Sequence, residues 1–473
     1  MPLCFGTRLG TAIPASPTFN HTLREWGTRS RIDLMAERKK YARFHSMTAS
    51  VPPSRNSTRR VLLASLAGTT IEFFDFYIYG MAAVLVFPTQ FFPKSDPAAA
   101  VLESLATFSI AFFARPVGAV LFGHFGDRIG RKATLVASLM TMGVSTVAIG
   151  LLPGYATMGA WAPALLALFR FGQGLGLGGE WGGAVLLATE NAKPHQRAWF
   201  GMFPQLGAPV GFILSGGTFL LMSKMFTNEQ FLAFAWRVPF IISSVLIMVG
   251  LYVRLKISET PEFQQAMKKH QRVAIPLWVL FRGHFKPLAL GTLASISVFI
   301  IFYLLTVFCL SWGVKPLGIN RELLLILQMA GVLFFALFIP ISAVSAERFG
   351  RRVTMGCVTG GIILFGLVLA PLFQAGVWGA LATFCIGYAL MGANYGPLGT
   401  FLSELFPTEV RYTGASMAFN MSGILGASLA PYIATRLATS FGLATVGWYL
   451  SAAAALSLLA LLFVHETRER PTP

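Results

Sequence analysis

The sequence predicts an all-α membrane protein: twelve transmembrane helices in two pseudo-symmetric six-helix bundles. Three observations predict it. Of 473 residues, 55% are hydrophobic and 12% charged, where soluble domains carry about 25% charged, so a soluble globule would expose too much apolar surface. Twelve apolar runs each reach the roughly 20 residues that cross a bilayer core. Features at helix ends recur at matched places in two halves, as an internal duplication requires.

In chain order, residues 1–60 hold no spanning run and are rich in Arg, Ser, Thr and Pro, without the apolar core of a secretory signal. They read as a disordered basic cytoplasmic tail. Glu25, Asp33 and Glu37 count against a transit peptide, and an over-long start, with Met35 or Met47 as first residue, is the plainer alternative. The apolar runs lie near 61–86, 104–125, 133–152, 160–188, 198–222 and 237–256, then 287–312, 322–345, 353–373, 377–402, 412–435 and 441–464. They divide into an N-terminal bundle (61–256) and a C-terminal bundle (287–467), with a short tail at 468–473. Between the bundles, 257–286 is a polar cytoplasmic linker carrying Glu259, Glu262, Lys268, Lys269, Arg272, Arg282 and Lys286.

The net charge of +18 would suggest nucleic acid in a soluble protein. Here Lys and Arg concentrate in the first sixty residues and in alternate loops, which argues for topology instead. Loops after even-numbered helices hold Arg128, Arg131, Lys132, Lys193, Arg197, Arg348, Arg351, Arg352 and Arg411; the opposite loops offer little beyond Lys94, Lys224, Lys315 and Arg321. Both termini are therefore expected in the cytoplasm, in a bacterial inner membrane. The four cysteines, Cys4, Cys309, Cys357 and Cys385, have no metal or disulfide spacing and read as packing residues. No nucleotide-binding loop G-x-x-x-x-G-K-[ST] occurs, and His124 and His195 have no catalytic partner at useful spacing, so neither an enzyme nor a cofactor is expected.

The repeat is clearest at helix ends. Gly123–His124–Phe125–Gly126–Asp127–Arg128–Ile129–Gly130–Arg131–Lys132 follows the second helix. A degraded copy, Ala343–Val344–Ser345–Ala346–Glu347–Arg348–Phe349–Gly350–Arg351–Arg352, follows the eighth. Glu190 and Arg197 after the fourth helix are matched at the same interval by Glu404 and Arg411 after the tenth. These residues form a candidate conformational latch. Asp127 at a helix end can meet the positive end of a neighbouring helix and hold one rocking state, while Arg128, Arg131 and Lys132 serve equally well as topology determinants.

Ionisable groups at bilayer depth cost at least about 2.5–3.5 kcal/mol each and are functional candidates by default. The first helix carries Glu72 and Asp75, spaced for one helical face. The second carries Arg115, and the fourth Arg170, Gln173 and Glu180. From the helical rise, Glu72 lies roughly 16 Å from its helix end, and Arg115 and Arg170 roughly 15 Å from theirs, so all converge near the midplane. Two neighbouring carboxylates cannot both ionise cheaply, and a nearby Arg would favour the ionised form when close and release it when withdrawn. Asp75, with Glu72, is thus the expected proton site, with Arg115 and Arg170 as its partners or as a grip on an anionic substrate. A static ion-pair network that orients helices is the structural alternative. Further path candidates are Tyr79, Gln173, Glu180 and the neutral Gln328, Asn394, Tyr395 and Asn420 of the second half. The glycines around Glu180 (Gly174, Gly176, Gly178, Gly179, Gly182 and Gly183) read chiefly as close-packing positions.

The pattern G-x-x-x-D-R-x-G-R-K at 123–132 and Arg170–Phe171–Gly172–Gln173–Gly174 resemble the two signatures of the major facilitator superfamily. Glu72–Phe73–Phe74–Asp75–Phe76, Arg115–Pro116–Val117–Gly118 and Gly178–Gly179–Glu180–Trp181–Gly182–Gly183 resemble its metabolite:proton symporter family, over roughly 61–467. Ala343 and Glu347 depart from the usual Gly and Asp of the second loop, which puts its latch role in doubt. The resemblance implies uptake of a small organic acid or zwitterion with a proton, driven by the gradient, by a monomer in the lipid bilayer. An exporter of drugs or metabolites, or a non-transporting metabolite sensor, are the rival readings.

Overall fold

The computed structural model describes residues 58–129, 131–190, 192–256, 276–407 and 410–468, with the side chains of 123–135 outside that set. Among the described residues there is no strand, and the helices make twelve spans. The first three are Thr58–Leu85, Pro97–Ile129 and Arg131–Leu151. The fourth is broken into Trp161–Leu177 and Trp181–Glu190. The fifth, Arg197–Met225, and the sixth, Val238–Lys256, complete the first bundle. The seventh joins Phe285–Tyr303 to Cys309–Val314 through a wide π-helical turn at Leu304–Phe308. The eighth, ninth and tenth are Arg321–Phe349, Arg351–Gln374 and Gly376–Glu404. The eleventh joins Arg411–Ser422 to Ala430–Phe441 through a second wide turn, Gly423–Ser428, and the twelfth is Ala444–Phe463.

These spans overlie the twelve predicted runs. The eleventh continues past the expected 435 to Phe441, and Pro431 within it falls in the first turn of its second segment, where a missing N–H breaks nothing. Nine helices among the described residues are long and apolar enough to cross a membrane. Of the other three, the first carries Glu72 and Asp75 and the fourth is interrupted at Gly178–Glu180, while the described side chains of the third begin at Val136 and form an apolar run to Leu151. The expected tail and the linker residues 257–275 lie outside the described residues; the linker closes on a short helix, Pro276–Gly283.

The chain is a multi-pass membrane protein, and its surface follows from that. Val144, Leu151, Leu168, Leu337, Leu364 and Leu367 are exposed, as side chains facing acyl chains should be. Trp161, Trp378 and Trp448 stand exposed near the starts of even-numbered helices, hence at one membrane face, where the interface favours indole rings. The other face carries the loops after even-numbered helices and is called here the loop end. There the eighth helix stops at Gly350, whose φ of 99° favours glycine. The fifth helix packs along the first of its own bundle and the eighth of the other, so it lines the seam.

Candidate functional site

At the centre of the first bundle two buried guanidiniums share one aromatic ring. The Arg115 and Arg170 head groups lie 4.6 and 4.3 Å from the centre of Phe76. Arg170 also covers Tyr79 at 4.0 Å and Phe108 at 4.9 Å, while Arg115 covers Phe112 at 4.9 Å. Each desolvated cation–π contact is worth about 2 kcal/mol, which helps keep these charges inside. The Tyr79 hydroxyl is held by Thr107 at 2.8 Å.

Asp75 does not touch either arginine. Ser243 donates to its Oδ1 at 2.5 Å, and the Thr146 hydroxyl lies 3.0 Å from its Oδ2. Gln173 Nε2 donates to Thr146 at 2.7 Å, and Gln173 Oε1 accepts from Arg170 at 2.9 Å. The expected carboxylate–guanidinium contact is thus replaced by a chain, Asp75–Thr146–Gln173–Arg170, that runs through three helices. The two carboxylates expected to act on each other are also turned apart. Asp75 points into the third and sixth helices, whereas Glu72 is in electrostatic reach of Tyr303 and Tyr395 in the second bundle. Arg115 is in reach of the same two tyrosines. Glu180, buried at the break of the fourth helix, accepts from Ser138 at 3.2 Å. Ser243 and Thr146 were not singled out from the sequence, although a hydroxyl in the middle of an apolar run is a readable signal.

A small cavity lies between the bundles, lined by Arg115, Tyr77, Tyr303, Tyr395, Phe419 and further apolar side chains. Its volume of about 20 Å³ is room for one water molecule. A second, of about 10 Å³, adjoins it, and Tyr77 and Tyr303 line both. Of the expected path residues, Tyr395 lines this space. Gln328 instead donates to Leu305 O and Thr306 O at 2.8 and 3.3 Å, tying down the wide turn of the seventh helix. Asn394 donates to Thr359 at 2.9 Å within the second bundle. Asn420 reaches Gly178 O at 3.4 Å across the seam.

Both ends of the cleft are closed. On the loop side, the Tyr412 hydroxyl donates to Gly179 O at 2.5 Å, and Trp181 stacks on Phe419 at 3.7 Å. A Cβ on Gly182 would meet Ser416 of the eleventh helix, so this glycine lets the two bundles approach. Gly174, Gly176 and Gly178 instead abut the second and third helices of their own bundle, where the packing reading applies. At the opposite end, Arg321 donates to Asn228 at 3.4 Å and covers Phe231 at 4.3 Å, and deeper in, Ser109 donates to the Ser428 carbonyl.

The latch residues of the second loop converge. Glu347 Oε1 accepts from Ala198 N at 2.6 Å, capping the fifth helix of the other bundle, where a carboxylate also meets the positive helix end. Arg351 bridges Glu347 and Glu404, each at 3.2 Å. Glu347 therefore makes a contact between the bundles despite its departure from the usual Asp. Arg197 accepts through its carbonyl from Thr400 at 3.1 Å, and Arg411 is in electrostatic reach of Glu190, Arg197 and Glu404. The Arg348 carbonyl accepts from Arg468 at 2.6 Å. Gly130 and the side chains of Asp127, Arg128, Arg131 and Lys132 lie outside the described residues.

The pattern of the family described as "Sugar (and other) transporter" matches residues 60–275 and 288–472. The chain belongs to this family, within the major facilitator superfamily. Like other members of the sugar (and other) transporter family it is a transporter, not an enzyme. It is 56% identical to the inner membrane metabolite transport protein YhjE of Escherichia coli over 88% of this chain and 96% of that protein. It is 36% identical to the shikimate transporter of the same organism, again over 88% and 96%. A solved D-xylose–proton symporter has the same fold, with a TM-score of 0.69 at 17% identity over 88% of this chain and 99% of that one.

Proposed function

We propose that the protein is a proton-coupled symporter that takes up a small organic acid or zwitterionic metabolite by alternating access. It would work as a monomer in the bacterial inner membrane, with both termini cytoplasmic and no cofactor beyond the proton gradient. The observation that carries this reading is the setting of Asp75, a buried carboxyl group held by two hydroxyls. A hydroxyl donates to a carboxylate and accepts from a carboxylic acid, so Asp75 keeps its hydrogen bonds in either protonation state. An arginine in contact would instead favour one state strongly. The chain through Thr146 and Gln173 then links that protonation to Arg170 beside the cleft.

The relatives support the substrate class: one is named a metabolite transport protein, another a shikimate transporter. The cationic loops after even-numbered helices support a cytoplasmic loop end. The test is accumulation of labelled acid in reconstituted vesicles with an imposed proton gradient. Asp75→Asn should abolish gradient-driven accumulation and spare exchange of substrate across the membrane. Undiminished accumulation in that variant would refute Asp75 as the proton site, and binding without accumulation in the unmodified protein would refute transport.

A further inference from the structure

The wall of the central cleft is chemically lopsided. Its one charged lining side chain is Arg115, which is buried and whose Nε has no hydrogen-bond partner. The Tyr77 hydroxyl, beside it on the same wall, is likewise buried and without a partner. Leaving such donors unsatisfied is unfavourable, so both are poised for an acceptor that arrives with a ligand. The facing wall, from the second bundle, is aromatic: Phe299, Phe302, Tyr303, Tyr395 and Phe419. Rings of the two bundles meet directly here, Tyr77 with Phe302 at 5.5 Å and Phe112 with Tyr303 at 5.4 Å between centroids.

We infer that the cleft selects small monocarboxylates built on a flat six-membered ring, with the carboxylate on Arg115 and Tyr77 and the ring slotted between the facing aromatic side chains. This rests on reading the cleft as the transport site. Parting the bundles by about 3.5 Å, one ring thickness, opens a slot that a planar ring refills with van der Waals contact on both sides. A second carboxylate on the ligand would be buried without a cation to meet it. A quaternary ammonium would find aromatic faces but would sit beside Arg115, while Glu72, in reach of Tyr303 and Tyr395, is not among the lining side chains. A sugar would bring more hydroxyls than three phenols and one guanidinium can satisfy.

The experiment is a thermal-shift titration of the full chain in detergent. The probes are benzoate and nicotinate against benzamide, succinate, xylose and glycine betaine. Benzoate should stabilise the protein and benzamide should not. Tyr77→Phe, which keeps the ring and removes one donor to a charged acceptor, should weaken benzoate binding about tenfold. Arg115→Gln should abolish it. Stabilisation by succinate, xylose or glycine betaine in preference to the ring acids overturns this substrate class and leaves the symport reading to the vesicle assay. Benzoate binding that is unchanged in Tyr77→Phe, or no response to either ring acid, overturns it as well.

Discussion

Replacing Gly182 by valine should hold the protein open at the loop end. A Cβ at Gly182 would lie 1.9 Å from Ser416 Oγ, 3.2 Å from its Cβ and 3.7 Å from its Cα. The Ser416 hydroxyl has no hydrogen-bond partner and can turn away cheaply, but the Cβ and the backbone behind it cannot. Valine adds two methyl groups beyond that Cβ, and forcing such bulk into a packed contact costs about 1–3 kcal/mol. All three near atoms belong to the eleventh helix, across the seam, so the cost falls on the closed form alone. At 1.4 kcal/mol per factor of ten, the closed population should drop roughly 5- to 150-fold relative to the loop-open one. Spin labels at the loop ends of the fourth and eleventh helices would read this as a longer distance distribution. Gly176→Ala is the control: its Cβ would meet Ser138 O at 2.6 Å and the Met142 backbone inside the first bundle. That variant should lower the melting temperature without moving the labels. If Gly182→Val only lowers the melting temperature, leaving the distances unchanged, then Gly182 is ordinary packing and the reasoning fails.

Further outcomes follow from the same contacts. Thr146→Val cuts the chain between Gln173 and Asp75 and should reduce gradient-driven uptake roughly tenfold, with Thr146→Ser restoring it; equal uptake by both variants would remove Thr146 from the coupling path. Glu347→Gln weakens both the cap on the fifth helix and the pair with Arg351, and should shift the same spin-label distances outward while leaving the melting temperature within a few degrees. Gln328→Leu should cost about 1–3 kcal/mol of stability, since Leu305 O and Thr306 O lose their donor in the wide turn; thermal unfolding in detergent measures it.

The scaffold was legible because lipid imposes a simple rule, and every run of sufficient apolar length became a span. The broken fourth helix was not foreseen as two pieces, since Gly178 and Gly179 are as compatible with tight helix packing as with a break. Polar residues at depth were found from their cost alone, but cost does not give direction. Glu72 and Asp75, close in sequence, turned to different neighbours because Ser243 and Thr146 offer Asp75 partners on its own bundle's far side. Depth alone makes Gln328 and Asn394 path candidates, but their amides bond Leu305, Thr306 and Thr359, contacts that depend on which helices adjoin. The matched helix ends were the most informative repeat, because Glu347, Arg351 and Glu404 do converge, and charge spacing at a helix end survives duplication better than packing does.

Phe76 gives the first bundle an unusual economy. A hydrocarbon side chain with no formal charge stands where two cations would otherwise need anions, and it serves both at once. Whatever draws one arginine off its face leaves more of the ring's negative face to the other, so the pair cannot respond independently to a ligand or a proton. Losing the ring to leucine would take a shared contact from both cations at once, leaving Arg170 to Tyr79, Phe108 and Gln173 and Arg115 to Phe112.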